Sequence, residues 1–141
     1  MKKILSSFAV AALLTMSQSY AQENKVTPEI EQLIKKHNLE QVGFDYVQKK
    51  VGIGFRGDVE AILIDARPAV KYEKGTIPSS LNITDTDFEN GYKQIVDLAK
   101  DKELIVYCAG YNCEKSPIVA QMLKEKGHKN VKLYSAGEPE W

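Results

Sequence analysis

The sequence predicts an α/β domain with a central, mainly parallel sheet and helices on both faces. Three observations carry that prediction. Ala61-Ile-Leu-Ile64 and Leu104-Ile-Val-Tyr107 are unbroken apolar runs, as expected of strands covered on both sides. Helical stretches with capping signals alternate with these runs, the pattern of parallel β-α-β units. The chain's 141 residues, 43% of them hydrophobic, suffice for one domain with a real core. Lys and Arg number 19, as do Asp and Glu, which argues against nucleic acid or an anionic membrane as the main partner. Two cysteines are too few for a disulfide scaffold or a Cys₄ zinc site. No sustained period supports a collagen, a coiled coil or a low-complexity chain.

Taken in order, the first piece is not part of the fold. Met1–Ala21 has a basic start at Lys2 and Lys3, an apolar stretch from Ile4 to Met16, and small residues at Ser19 and Ala21. That order predicts a secretory signal peptide cleaved after Ala21, too short in its apolar part for a comfortable membrane span. The Met-Lys-Lys start points to a bacterium and hence to the periplasm, with no membrane attachment after cleavage. Removing the segment leaves 17 basic against 19 acidic side chains, a mildly acidic exported domain.

Thr27-Pro28-Glu29 predicts a helix start: a hydroxyl cap, proline at the first position and an acid in the first turn. Ile30, Leu33 and Ile34 form its apolar stripe, and Lys35, Lys36 and His37 suit its C-terminal end. A second short helix is expected over Asp45–Val51, and Gly52, Gly54 and Gly57 mark a loop without the context of a phosphate site. The strand Ala61–Ile64 ends at Asp65. A brief helix follows over Pro68–Tyr72, a turn over Gly75–Ser79 and a short strand over Ser80–Ile83. Tyr92, Ile95, Val96 and Ala99 predict an amphipathic helix. After the strand ending at Tyr107, Ser116-Pro117 predicts another capped helix start, with Ile118, Val119, Met122 and Leu123 buried and Gly127 as its C-cap. Val131–Tyr134 is the last strand. His37 and His128 read as ordinary surface or helix-end residues.

Ligands of such sheets bind beyond the carboxyl ends of the strands, and Cys108 stands at such an end. The loop Cys108-Ala109-Gly110-Tyr111-Asn112-Cys113-Glu114-Lys115 links that strand to a helix start. Backbone N–H groups turned inward, together with the helix dipole, favour a thiolate over a thiol at this point. Lys115 adds a cation, partly offset by Glu114. The chemistry expected is a nucleophilic thiolate able to hold a persulfide, and the bland alternative is a buried cysteine that only packs. No further ligands join the two cysteines by spacing, so no metal site is expected, and no cofactor motif is present.

Leu63-Ile-Asp-Ala-Arg67, Tyr72-Glu-Lys-Gly-Thr-Ile-Pro78 and Leu81-Asn-Ile83 resemble the first signature of rhodanese domains. Ile105-Val-Tyr-Cys108, Gly127-His-Lys-Asn-Val131 and Ala136-Gly137 through Trp141 resemble its second half. The resemblance divides the chain into the signal segment 1–21, a leading helical and loop segment 22–60, and a rhodanese-like core 61–141. It implies a sulfurtransferase that needs no cofactor. Cys108 takes the position of the nucleophile, Ala109, Gly110, Tyr111, Asn112 and Cys113 that of the persulfide-cradling loop, and Asp65 and Arg67 stand beside it in support. The partners implied are small sulfur-containing anions such as thiosulfate or polysulfide, and a thiol or protein that accepts the sulfur.

Three departures from the family pattern stand out. Cys113 takes the place of a polar residue or Arg five positions after the nucleophile. Ser116 lies eight positions on, where six is usual. Thr76 replaces the histidine of Gly-His-Ile-Pro. Glu114 at the sixth position would repel a phosphate, which argues against the related phosphatases. Cys113 leaves several readings open: a disulfide with Cys108, a resolving thiol that attacks a Cys108 persulfide and releases sulfide, or a small loop-filling residue. Two rivals to a sulfurtransferase follow: a periplasmic carrier of polysulfide sulfur, and a thiol–disulfide redox protein using Cys108 and Cys113.

Overall fold

The two apolar runs become neighbouring strands at the centre of one sheet. The computed structural model describes residues 26–51 and 60–141. Met1–Ala21, expected to be a signal peptide, and Gly52–Gly57, expected to form a loop, lie outside the described residues. The elements are α1 (Pro28–Lys36), β1 (Glu40–Gln41), α2 (Phe44–Lys50), β2 (Ala61–Asp65), α3 (Ala69–Tyr72), β3 (Leu81–Asn82), α4 (Phe88–Tyr92), β4 (Glu103–Tyr107), α5 (Lys115–Glu125) and β5 (Val131–Tyr134). A 3₁₀ turn, Lys93–Ile95, extends α4, and another, Glu138–Glu140, closes the chain. All five strands are parallel, in the order β1-β5-β4-β2-β3.

Strand side chains alternate between the two faces, and both faces are covered. Ile64, Leu104, Val106, Val131 and Leu133 face one cluster, with Ile30 and Ile34 of α1, Phe88 and Tyr92 of α4, and Val119 and Leu123 of α5. Ala61, Leu63, Ile105, Tyr107 and Tyr134 face the other, which is covered by Val47 of α2, Ile77 and Trp141. Each fully buried large apolar side chain contributes about 1.5–3 kcal/mol. The exposed Glu31–Lys35 pair on α1, at 2.7 Å, adds only about 0.3–0.5 kcal/mol, so the two clusters hold the fold.

Several expectations are met in detail. Thr27 caps α1 through its hydroxyl, and Gly127 takes positive φ just past α5. Others are corrected. The amphipathic segment starts earlier than Tyr92: Phe88, Tyr92 and Ile95 make its buried stripe, and Val96 stays 51% exposed because the 3₁₀ turn rotates it outward. Helix α5 starts at Lys115 with Glu114 as its cap, so Ser116 and Pro117 lie inside the first turn. Proline is tolerated there because its missing N–H is one of the unpaired groups of a helix start. Ile118 and Met122 are half-buried, while Ala120 takes a place in the core.

His128 is not a surface residue. Its ring is buried, Nε2 lies 3.1 Å from the Tyr92 hydroxyl, and Nδ1 has no hydrogen-bond partner. Burial, with the neighbouring Lys100 ammonium, pushes its pKa below the usual histidine value. Among the described residues no helix is long and apolar enough to cross a membrane.

Candidate active site

The C-terminal ends of β2 and β4 lie side by side, with Asp65 opposite Tyr107. The chain leaves β4 at Cys108, which is 2% exposed. Residues 109–114 form a loop of turns that leads into α5. Cys108 and Cys113 are joined in a disulfide, with their Cα atoms 6.2 Å apart. The closed pair is one of the three readings left open for Cys113. Cys113 is half-buried and forms the outer end of the pair.

The loop is folded by its own backbone. The Cys113 N–H donates to the Gly110 carbonyl at 3.1 Å, and Gly110 takes φ of 131°, a conformation glycine adopts without a Cβ penalty. That amide is therefore committed within the loop in this disulfide-closed form, and is not aimed at a sulfur. Ala109 and Asn112 are exposed, and Tyr111 packs at the edge of both apolar clusters. Lys115 does not offer its charge to the loop: its ammonium binds Asp85 at 3.0 Å.

A second segment anchors the loop from outside. The Glu138 N–H donates to the Cys108 carbonyl at 3.0 Å. Gly137, at φ 69°, passes so close that a Cβ there would lie 2.3 Å from the Cys108 carbonyl oxygen and 2.9 Å from the Gly110 nitrogen. Only glycine fits this approach. Ala136-Gly137 is visible in the sequence as a motif, but its contact with the cysteine loop spans about thirty residues and leaves no local signal.

Asp65 and Arg67 meet beside this loop, as the resemblance implies. The Asp65 carboxylate is fully buried and accepts from the Arg67 backbone N–H at 2.9 Å, from Nε at 3.0 Å and from Nη2 at 2.7 Å. The hydrogen bonds to Asp65 raise the Arg67 pKa further, so this guanidinium stays charged. Arg67 also donates to the Gly75 carbonyl at 2.7 Å and reaches Glu138 at 3.4 Å. It thus ties the end of β2 to the residue whose N–H holds Cys108.

Thr76, Ser80 and Tyr107 complete this support, and sequence reasoning did not assign them. Thr76 donates to Asp65 at 2.8 Å, in the position where the family pattern has histidine. The Tyr107 hydroxyl accepts from the Ile77 N–H at 3.2 Å and lies 2.8 Å from Ser80 Oγ, 2.6 Å from Thr76 Oγ1 and 3.1 Å from Asp65. Burial pushes its pKa up to about 12, against its hydrogen bonds with Ser80 and Thr76, so it stays protonated near neutrality. Among the described residues no group of histidine, cysteine and carboxylate side chains could hold a metal ion.

Comparison with known proteins places this arrangement. The rhodanese-like domain family matches residues 54–141. An HTH-type transcriptional regulator, Rv0324 of Mycobacterium tuberculosis, is 29% identical over 82 residues, covering 58% of this chain and 34% of that protein. A tRNA uridine(34) hydroxylase of Erwinia tasmaniensis is 32% identical over 78 residues, covering 52% and 21%. The chain spans about a fifth to a third of the length of these relatives. Among solved structures, the BH2092 protein of Bacillus halodurans superposes with a TM-score of 0.61 at 22% identity, covering 80% of this chain and 78% of that one. The rhodanese-like domain of the Anabaena Alr3790 protein does so at 0.52 and 19%, covering 68% of each. These two likenesses speak for the fold alone. With the family match running from before β2 to the last residue, through Asp65, Arg67 and the Cys108 loop, the chain belongs to the rhodanese-like domain family.

Proposed function

We propose that the domain is a sulfurtransferase that carries sulfane sulfur as a persulfide on Cys108. The observation that supports this best is the position of Cys108. It is a nearly buried sulfur at the end of the central strand β4, on a loop that runs into the N-terminus of α5. A thiolate there is favoured by the helix dipole and shielded from side reactions. Once the disulfide is reduced, the thiolate attacks the outer sulfur of thiosulfate, polysulfide or a persulfide, and the remainder of the donor leaves. A thiophilic acceptor then takes the sulfur and restores the thiolate. Ala109, Gly110, Tyr111 and Asn112 line the loop where the added sulfur would sit. Asp65 and Arg67 act through Glu138 by fixing the Cys108 backbone.

The signal-like Met1–Ala21 segment supports a periplasmic location, where small sulfur anions are the donors and a thiol or a protein is the acceptor. A redox protein is the second reading, favoured by the closed Cys108–Cys113 pair. The test uses reduced protein with thiosulfate, or polysulfide in a second arm, and excess cyanide. Sulfur transfer yields thiocyanate in wild type and none in Cys108→Ala. Undiminished thiocyanate from Cys108→Ala would refute the assignment.

A further inference from the structure

The reaction proposed above leaves Cys113 unused, yet its sulfur lies within bonding reach of Cys108 with the loop already folded. Their Cα separation of 6.2 Å is within the range that a disulfide spans without backbone movement. Both ends of the loop are set by main-chain bonds, Glu138 N–H to the Cys108 carbonyl and Cys113 N–H to the Gly110 carbonyl. A sequence separation of 5 closes a very short loop. Such a crosslink restricts the unfolded chain less than one that closes a longer loop. The pair stabilises less than a long-range crosslink would, and its place at a strand end suits chemistry.

The two sulfurs are also unequal. Cys108 is 2% exposed, whereas Cys113 is half-buried at the outer side. An incoming thiolate reaches Cys113 first, so opening of the disulfide from outside leaves Cys108 as the departing thiolate. The dipole of α5 stabilises that leaving group.

We propose that Cys113 resolves the Cys108 persulfide inside the loop, so that the domain reduces sulfane sulfur to sulfide and is then reset by an external dithiol acting on Cys113. This rests on the persulfide reading given above. In the resolving step the Cys113 thiolate attacks Cys108 Sγ. The Cys108–Cys113 bond forms, the bond from Cys108 Sγ to the outer sulfur breaks, and the outer sulfur leaves as hydrosulfide with the electron pair. Two thiols are oxidised to a disulfide and one sulfane sulfur is reduced by two electrons. A dithiol reductant then attacks Cys113, forms a mixed disulfide and closes its own disulfide, returning both protein thiols. Because Cys113 shares the loop, its effective concentration at the persulfide exceeds that of a dilute free acceptor.

The test uses anaerobically reduced protein freed of reductant, with thiosulfate in one arm and inorganic polysulfide in the other, and no added acceptor. In the thiosulfate arm the loading step releases sulfite, so any sulfide comes from discharge. Wild type is expected to lose about 2 Da and to release one sulfide per chain with thiosulfate. Cys113→Ser is expected to gain about 32 Da with either donor and, with thiosulfate, to release at least about tenfold less sulfide. Cys108→Ala should do neither. A wild type that keeps the added sulfur and releases no sulfide overturns the resolving role while leaving the persulfide intact. Equal sulfide release from Cys113→Ser in the thiosulfate arm, or sulfur uptake by Cys108→Ala, also overturns it. If Cys113→Ser takes up no sulfur from either donor, the persulfide reading itself fails.

Discussion

Two strand ends lie next to each other in this sheet and are finished in opposite ways. At the end of β2, Asp65 is buried and its carboxylate is saturated by three donors of Arg67 and by Thr76. Asn82 adds bonds to the Asp65 and Arg67 carbonyls, each at 2.9 Å. At the end of β4, Cys108 is held through its main-chain carbonyl by Glu138 and through its side chain by Cys113. One end is closed by many non-covalent contacts that have nothing left to exchange. The other is closed by one covalent bond that thiol chemistry can open. Under the proposed function, the end of β2 supports and the end of β4 reacts, although both ends point to the same edge of the sheet.

Breaking the supporting end should have the largest effect on stability. Asp65→Asn leaves the Arg67 guanidinium, also buried, without its main counter-charge, and removal of one partner of a buried pair costs about 3–5 kcal/mol. Chemical denaturation should show that loss, while the folded fraction still loads sulfur on Cys108. A variant as stable as wild type but unable to load would make Asp65 part of the chemistry. Next is Gly137→Ala, which puts a Cβ against the Cys108 carbonyl at a backbone conformation that suits glycine alone. Strain of about 1–3 kcal/mol with the added clash should lower stability by about 2–4 kcal/mol and also slow loading, because Cys108 shifts. Unchanged loading kinetics would show that the anchor from 137 to 138 does not position the sulfur. The smallest effect is expected of Tyr107→Phe, which leaves the buried Ile77 N–H without its acceptor at a cost of about 1–3 kcal/mol. Its thiocyanate yield per folded molecule should match wild type, and a selective loss of yield would bring the phenol into the reaction.

The same contrast explains what the sequence reveals. β2 and β4 are legible because both of their faces are buried, so the apolar run is continuous and needs no partner to be recognised. Cys108 is legible because it ends such a run just before a helix. β1 is not: Glu40-Gln41 is a polar, exposed pair that becomes a strand only by bonding to β5 some ninety residues later. The start of α5 is displaced by the loop's own turns, so Pro117 settles at the third helical position and not the first. Thr76, Ser80 and Tyr107 carry no local sign of their shared hydrogen bonds, which form only when β2 and β4 stand in register. Lys115 looks like a cation for the loop until Asp85, thirty residues away, takes it. Position along an element is readable locally, whereas pairing between polar side chains from distant elements is not.

Under the proposed function, the sulfur at the end of β4 is the one that accepts sulfane sulfur. Rapid mixing of reduced wild type with thiosulfate, quenching with an alkylating agent that caps persulfides, and fragmentation of the tryptic peptide Glu103–Lys115 would locate the added atom. The account predicts capped persulfide on Cys108 at the earliest times, followed by the Cys108–Cys113 disulfide. Capped persulfide appearing first on Cys113 would contradict it.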